Sequence, residues 1–274
     1  MTTAETTSPS IVELAGPAPC YTPARRLAGK VCLVVGATSG IGRATALRMA
    51  EEGAAAVVIA GRREALGKEL AEALCRTGAQ GVFVATDVTC EAHLARLVEQ
   101  TMTRFGRLDA AFNNAGLQER RAPLAIQTDA VYAQVFDTNV RAVFHAMRHE
   151  IPALIASGGG GIVNNTSVSG MRNPNPGLSL YGASKAAAIA LTRAAAMEYA
   201  SQGVRINAIA PGRVVTDMML SSGIADMRTV ASNLPLRRMG HPEEVAAAVV
   251  WLLSGEASYI VGHVLAADGG FLAG

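Results

Sequence analysis

Tyr181-Gly182-Ala183-Ser184-Lys185 is the stretch whose residue types and spacing could carry chemistry. It opens a segment of helical periodicity. Residues four apart share a helix face, so the phenol and the ammonium can meet one site. A free tyrosine titrates near pH ~10, too high for proton transfer at neutrality. An ammonium about 5 Å away, at an effective dielectric of about 20, favours phenolate by roughly 3 kcal/mol, or about two pKa units. The expectation is a Tyr181 phenol made acidic by Lys185 and able to give or take a proton. Standing alone, such a pair is more often a surface Tyr and Lys one turn apart. Ser167 ends an apolar run on the far side of the loop 168–180. Its hydroxyl there could hold a substrate oxygen beside the tyrosine, or act only as a turn or cap residue. Asn139 falls in the middle of a helical pattern, where Asn is a poor helix former. It reads either as a local bend with a polar task or as a solvent-facing position.

A second constellation lies near the N-terminus. An apolar run over 31–35 ends in Gly36-Ala37-Thr38-Ser39-Gly40-Ile41-Gly42, and an alanine-rich helical segment follows. This reads as a buried strand, a tight turn and a helix N-terminus. One glycine makes the turn, one admits a bound group close to the backbone, and one lets the helix sit on the strand. The unpaired N–H groups and the positive dipole end would hold a diphosphate.

The elements that must position these residues alternate along the chain. Strands are predicted at 31–35, 56–60, 82–86, 108–112, 161–165, 204–209 and 264–267. Helices are predicted after the glycine turn and at 63–77, 91–105, 128–156, 180–201 and 242–253. Strands alternating with helices need crossover connections, which means a parallel sheet covered on both faces. The expected fold is a single doubly wound α/β Rossmann domain with a parallel seven-stranded sheet, over 27–274. Residues 1–26 read as a flexible arm. The 216–240 segment has no clean period; its four methionines, Met218, Met219, Met227 and Met239, suit an adaptable lid or ordinary packing. In such sheets ligands sit beyond the strands' carboxyl ends. Asp87, Asn113-Asn114-Ala115-Gly116, Ser167 and Pro211-Gly212 all follow strands.

Bulk properties exclude several classes. The 274 residues carry a net charge of only +2, spread along the chain, so neither nucleic acid nor a membrane surface is an expected partner. No apolar run is long enough to span a membrane. The four scattered cysteines, Cys20, Cys32, Cys75 and Cys90, argue against a disulfide framework and for a reduced, cytoplasmic setting.

Together these features resemble the classical short-chain dehydrogenase/reductase family over about 27–274. The motifs are Gly36-Xaa-Xaa-Xaa-Gly40-Ile41-Gly42, Asp87, Asn113-Asn114-Ala115-Gly116, Asn139, Ser167, Tyr181 with Lys185, Pro211-Gly212 with Thr216, and Asp268-Gly269-Gly270. Val35 departs from the Thr that is usual before the first glycine. The resemblance implies hydride transfer between a nicotinamide and a ketone or secondary alcohol. Tyr181 would be the acid–base, Lys185 would tune it and hold the nicotinamide ribose, and Ser167 would orient the carbonyl. Asn139 would hold a water linking Lys185 to solvent. Thr38, Ser39, Gly40, Ile41, Ala115 and Gly116 would join the cofactor site. Asp87 and Val88 would meet the adenine, and Asn113 the adenosine side. The backbone from Pro211 through Val214 to Thr216 would fix the carboxamide. The resemblance also implies a homotetramer, with the two long helices and the last strand at its interfaces.

Strand two ends in Ala60-Gly61-Arg62-Arg63, without the carboxylate that would bind a ribose 2′-hydroxyl. Two guanidiniums suit a 2′-phosphate, so NADP(H) is the expected cofactor, with NAD(H) possible. His145 and His149 lie four apart on a helix, but no acidic or Cys partner at suitable spacing completes a metal site, so no metal is expected. Arg120 and Arg121 read as a solvated loop, while Arg172 and Asn173 could add polar contacts to substrate. Two rival readings stand beside the carbonyl reductase: a tailoring ketoreductase of a biosynthetic pathway, and a catalytically silent nucleotide sensor on the same scaffold.

Overall fold

Along the first apolar run, Cys32 and Val34 pack into one hydrophobic layer and Leu33 and Val35 into another. That alternation is the period of a strand buried on both faces. The run is β1 (Val31–Val35) of a computed structural model that describes residues 10–172, 175–224 and 226–274. The remaining strands are β2 (Ala56–Gly61), β3 (Gln80–Ala85), β4 (Ala110–Asn113), β5 (Gly160–Asn165), β6 (Val204–Pro211) and β7 (Val264–Ala267). They form one parallel sheet in the order β3-β2-β1-β4-β5-β6-β7, as expected for a doubly wound Rossmann fold. Val35 lies opposite both Ala60 and Asn113, so the ends of β1, β2 and β4 finish level with one another.

The helices are α1 (Ile11–Ala15), α2 (Gly40–Glu51), α3 (Glu64–Arg76), α4 (Glu91–Phe105), α5 (Asp129–Phe136), α6 (Ala142–Ala156), α7 (Ser179–Tyr199), α8 (Asp217–Leu220), α9 (Met227–Ser232) and α10 (Pro242–Leu253). Met49 of α2, Leu70 and Leu74 of α3 and Val249 of α10 fill the layer under Cys32 and Val34. Leu94 and Leu97 of α4, Met147 and Leu154 of α6 and Ala196 of α7 fill the opposite layer.

Two segments differ from their sequence reading. The helix expected unbroken over 128–156 is two helices, α5 and α6, joined by a π turn at Asp137–Arg141. Asn139 is fully buried there, which selects the bend with a polar task over the solvent-facing position. The arm is the second. Residues 1–9 lie outside the described residues, but 10–26 do not hang free. Ser10 and Glu13 form a capping box that starts α1, and its Leu14 and Ala15 are buried. They pack on Val215, Met227, Ala231, Leu234 and Met239, in and beside the 216–240 segment. The N–H of Met239 donates to the Leu14 carbonyl at 2.8 Å. Farther along, the buried Glu52 carboxylate accepts the N–H groups of Ala24 and Arg26, each at 3.0 Å. Apolar burial and these bonds offset the ordering cost of a segment whose composition alone suggested a coil.

The four thiols are free. Among the described residues, no helix is long and apolar enough to cross a membrane.

Candidate active site

Strand order reverses between β1 and β4, and the crevice at their carboxyl ends is a cleft of about 690 Å³. Its floor is the glycine turn. Gly36 has φ +82°, and a Cβ there would fall 2.6 Å from the Ala115 nitrogen. A Cβ on Gly42 would fall 2.2 Å from the Gly36 carbonyl oxygen. Only glycines therefore bring this turn and α2 so close together. Ser39 precedes α2 without capping it through its side chain, which leaves the helix's positive end for an anion. These are the features a dinucleotide's diphosphate needs, and the residues present fit one.

Gly36, Thr38, Ser39, Gly40, Ile41, Arg62, Arg63, Asp87, Val88, Ala115, Gly116, Pro211, Gly212, Val214 and Thr216 all line the cleft. Arg63 folds over the glycine turn, donating from Nε to Thr38 Oγ1 at 3.0 Å and from Nη2 to Ser39 Oγ at 2.5 Å. The Thr89 N–H and hydroxyl hold the Asp87 carboxyl below its usual range, and the Arg62 charge adds to this.

Asn113 is a correction. Its side chain is buried away from the cleft and donates to Glu150 Oε2 at 2.9 Å and Asn164 Oδ1 at 3.0 Å. Its neighbour Asn114 lines the cleft instead and donates to the Gly36 carbonyl at 2.7 Å. Consecutive strand residues point to opposite faces, so only one of the pair can turn toward the crevice.

Tyr181 stands in the first turn of α7, half-buried, with Lys185 one turn on and buried. The Lys185 Nζ lies 5.8 Å from the Tyr181 ring centre and donates to the Asn165 carbonyl at 2.8 Å. Ser167, just beyond β5, lines the same cleft as Tyr181 and lowers the pKa of the tyrosine hydroxyl. Its own Oγ accepts the Ser169 N–H at 3.1 Å. Asn139 donates to the Leu117 carbonyl at 2.7 Å and to Ser184 Oγ at 2.9 Å, and it accepts the Leu117 N–H at 2.8 Å. A Cβ on Gly116 would sit 3.3 Å from Lys185 Nζ and 3.6 Å from Asn139 Oδ1, so the glycine keeps open a gap that both groups face.

The expected acidic phenol is a second correction. Burial raises the Tyr181 pKa, and the Glu119 charge raises it further. The Ser167 hydroxyl and the Arg213 charge lower it. Burial also pushes the Lys185 ammonium down, to about 8. Helical spacing predicts proximity, but burial is the largest influence on the phenol and outweighs the lowering effects of Ser167 and Arg213.

Sequence reasoning missed three residues. Glu119 is buried, and its carboxylate accepts the N–H groups of Leu180 and Tyr181, which caps α7. Arg213 lines the cleft beside Tyr181. Glu150 lies fully buried in α6, and burial pushes it up to about 7. No local spacing marks any of them; each is brought in by contacts distant in sequence. Glu91 of α4 likewise reaches His145 at 3.8 Å, His149 at 3.5 Å and Arg148 at 3.0 Å, an acidic partner that spacing did not reveal. Among the described residues no group of His, Cys, Asp and Glu could hold a metal ion. Arg120 is exposed, while Arg121 is half-buried and donates to the Pro176 carbonyl at 3.1 Å. Arg172 donates to a Gly274 oxygen, and Asn173 lies outside the described residues.

A doubly wound sheet with a glycine turn at its switch point and a Tyr, Lys and Ser at the same cleft defines a dinucleotide-dependent oxidoreductase. The family described as enoyl-(acyl carrier protein) reductase matches residues 36–272. The chain is 43% identical over 249 residues to A-factor type gamma-butyrolactone 1'-reductase (1S-forming) of Streptomyces virginiae, covering 89% of this chain and 96% of the relative. It is 40% identical to the 3-oxoacyl-[acyl-carrier-protein] reductase FabG of Thermotoga maritima, covering 90% and 99%. The crystal structure of levodione reductase superposes with a TM-score of 0.86 at 35% identity, covering 90% of this chain and 99% of that one. The chain belongs to the short-chain dehydrogenase/reductase family and is an NAD(P)-dependent oxidoreductase.

Proposed function

We propose that this chain is an NADP(H)-dependent ketoreductase interconverting a ketone and a secondary alcohol. The observation that carries this reading is that Ser167, Tyr181 and Lys185 line the same cleft as the glycine turn. A nicotinamide cofactor held at the glycine turn would supply the hydride for the carbonyl carbon. Ser167 donates to the carbonyl oxygen and fixes its direction. Tyr181 gives that oxygen its proton; a raised pKa keeps the phenol protonated at neutral pH until then. Lys185 holds the nicotinamide ribose, and at about 8 its own proton is available to restore the phenol. A water in the gap beside Gly116 would join Lys185 to Asn139 and to solvent.

Arg62 and Arg63, with no carboxylate at Gly61, support a 2′-phosphate at the end of β2. The glycine turn would hold the diphosphate. Asp87 and Val88 would meet the adenine, and the backbone from Pro211 to Thr216 the carboxamide. Exposed Phe144 on α6, Met197 on α7 and Tyr259 before β7 support burial of those faces in a homotetramer, which sedimentation would test. The free thiols support a reducing, cytoplasmic setting.

Similarity to a gamma-butyrolactone 1'-reductase favours one alternative, a tailoring reductase acting on a gamma-butyrolactone. The deciding experiment is NADPH consumption against a panel of linear and cyclic ketones, with Tyr181→Phe as control. Consumption that depends on Tyr181 supports the proposal. Activity surviving in the Phe variant removes the catalytic assignment, and cofactor binding without turnover leaves the silent sensor.

A further inference from the structure

Arg213 follows Pro211-Gly212 at the end of β6 and lines the cleft. In the sheet order β6 lies four strands from β2, which ends at Arg62 and Arg63. At about 4.8 Å per strand that is roughly 19 Å. Arg213 therefore serves a different group from the one those arginines would bind, and it stands on the Tyr181 side. Its Nη2 donates to Asn175 Oδ1 at 2.5 Å, and its guanidinium carbon lies 6.0 Å from the Phe271 ring centre. These contacts hold the fork in place and neutralise nothing.

The surrounding charges make the position unusual. Burial pushes the Arg213 pKa down, and so does Arg121, which approaches from the loop after β4. Arg121 has a buried Nε without a hydrogen-bond partner among the described residues. Arg172 lies 6.0 Å from the same Phe271 ring. Glu119, the carboxylate of the Arg121 loop, is committed to the N–H groups of Leu180 and Tyr181. Asp268 is committed to the N–H groups of Gly270 and Leu272. Among the described residues no carboxylate makes an ion pair with Arg213 or Arg121. Arg172 is exposed and donates to a Gly274 oxygen, which leaves Arg213 and Arg121 as the half-buried guanidiniums without a carboxylate partner among the described residues. Such a pair is stabilised by an anion, and a planar fork matches a carboxylate with two parallel bonds.

We propose that Arg213 is a specificity-determining residue that binds a carboxylate carried by the carbonyl substrate, so that the enzyme selects oxo-acids over neutral ketones. The assignment rests on the ketoreductase reading of the cleft. Arg213 pairs with the substrate's far end while Ser167 and Tyr181 engage its reacting oxygen.

The test compares 4-oxopentanoate with methyl 4-oxopentanoate, and 4-oxocyclohexanecarboxylate with its methyl ester. Each is measured as kcat/KM with NADPH. Where turnover is undetectable, affinity for the NADP⁺-loaded enzyme is measured by calorimetry. The expected result is a preference for at least one acid over its ester. Arg213→Leu collapses that acid-to-ester ratio tenfold or more, and Arg213→Lys restores part of it. The ratio stays informative even where a variant lowers both rates. A wild-type enzyme that treats acid and ester alike or prefers the ester, or a ratio unchanged in Arg213→Leu, overturns the proposal. Ester reduction that is lost in Tyr181→Phe keeps the ketoreductase reading standing even then.

Discussion

The main-chain N–H of Tyr181 donates to both carboxylate oxygens of Glu119, at 3.1 and 3.0 Å. A buried carboxylate thus caps the helix that carries the phenol, and its charge raises the phenol's pKa while Ser167 lowers it. Two substitutions should move the alkaline limb of the reduction's pH–rate profile in opposite directions. In reduction the phenol must be protonated, so the rate falls as pH rises through its pKa. Glu119→Gln keeps an acceptor for the N–H groups and removes the charge, so the limb shifts to lower pH. Ser167→Ala removes the hydroxyl that lowers the phenol's pKa, so the limb shifts to higher pH, with a loss in kcat of about 10²-fold from the missing donor. Profiles of kcat/KM against pH for the three proteins check this. Parallel shifts in the two variants would contradict the assignment.

Glu150 provides a stability measurement independent of catalysis. Burial raises its pKa from 4.5 to about 7, and its Oε1 has no hydrogen-bond partner among the described residues. Between those values the folded protein holds a proton that the unfolded chain releases. The group's contribution is intact below about pH 4.5 and is lost as pH rises through about 7. Glu150→Gln still accepts from Asn113 and does not titrate. Urea unfolding should therefore show the variant gaining on the wild type across this window, by up to about 3 kcal/mol above pH 7. A constant difference from pH 5 to pH 8 would mean that Glu150 is ionised throughout.

The cofactor preference turns on the end of β2. Arg62 and Arg63 are exposed at the cleft, and Arg63 is tied to Thr38 and Ser39. Arg62→Asp puts a carboxylate where a 2′-phosphate would lie and next to the Asp87 charge. The ratio of kcat/KM for NADPH over NADH should fall at least tenfold, given that a charge-assisted bond is exchanged for repulsion (about 1.4 kcal/mol is a factor of ten). An unchanged ratio would place the phosphate contact elsewhere.

What could be read from the chain follows physical locality. Strands such as Val31–Val35 and Ala56–Gly61 are runs of small and β-branched residues buried on both faces, so composition marks them directly. The glycine turn and the Tyr181–Lys185 spacing are equally local. The π turn at Asn139 is half legible: the poor helix former announces an irregularity, and only Leu117 and Ser184, distant in sequence, decide its form. Asn113 and Asn114 are indistinguishable by type, and strand register chooses between them. The reversal of the Tyr181 shift has the same origin, because burial is a property of the assembled fold.

The N-terminal segment carries one local signal, the Ser10-Xaa-Xaa-Glu13 capping box, and its consequence extends to the 216–240 segment. Leu14 is 1% exposed and packs with Met227, Ala231 and Met239 of the segment that also presents Met218 and Met219 to the cleft. Glu13 adds an ion pair to Arg228 at 3.0 Å, and His241 Nε2 bonds the Gly16 carbonyl at 2.9 Å. The relatives are matched nearly end to end while about a tenth of this chain is left over, and the family match reaches residue 272. Within this chain, α1 packs against the segment that lines the cleft with Met218 and Met219. Leu14→Ala should lower stability by about 2 kcal/mol or more, because a buried side chain leaves a cavity behind. It should raise the KM for carbonyl substrates several-fold with a smaller change in kcat, and speed proteolytic cleavage within 217–240. Thermal unfolding, substrate kinetics and limited proteolysis report these separately. A variant that loses stability while keeping its KM and its cleavage rate would show that α1 supports the fold without shaping the pocket.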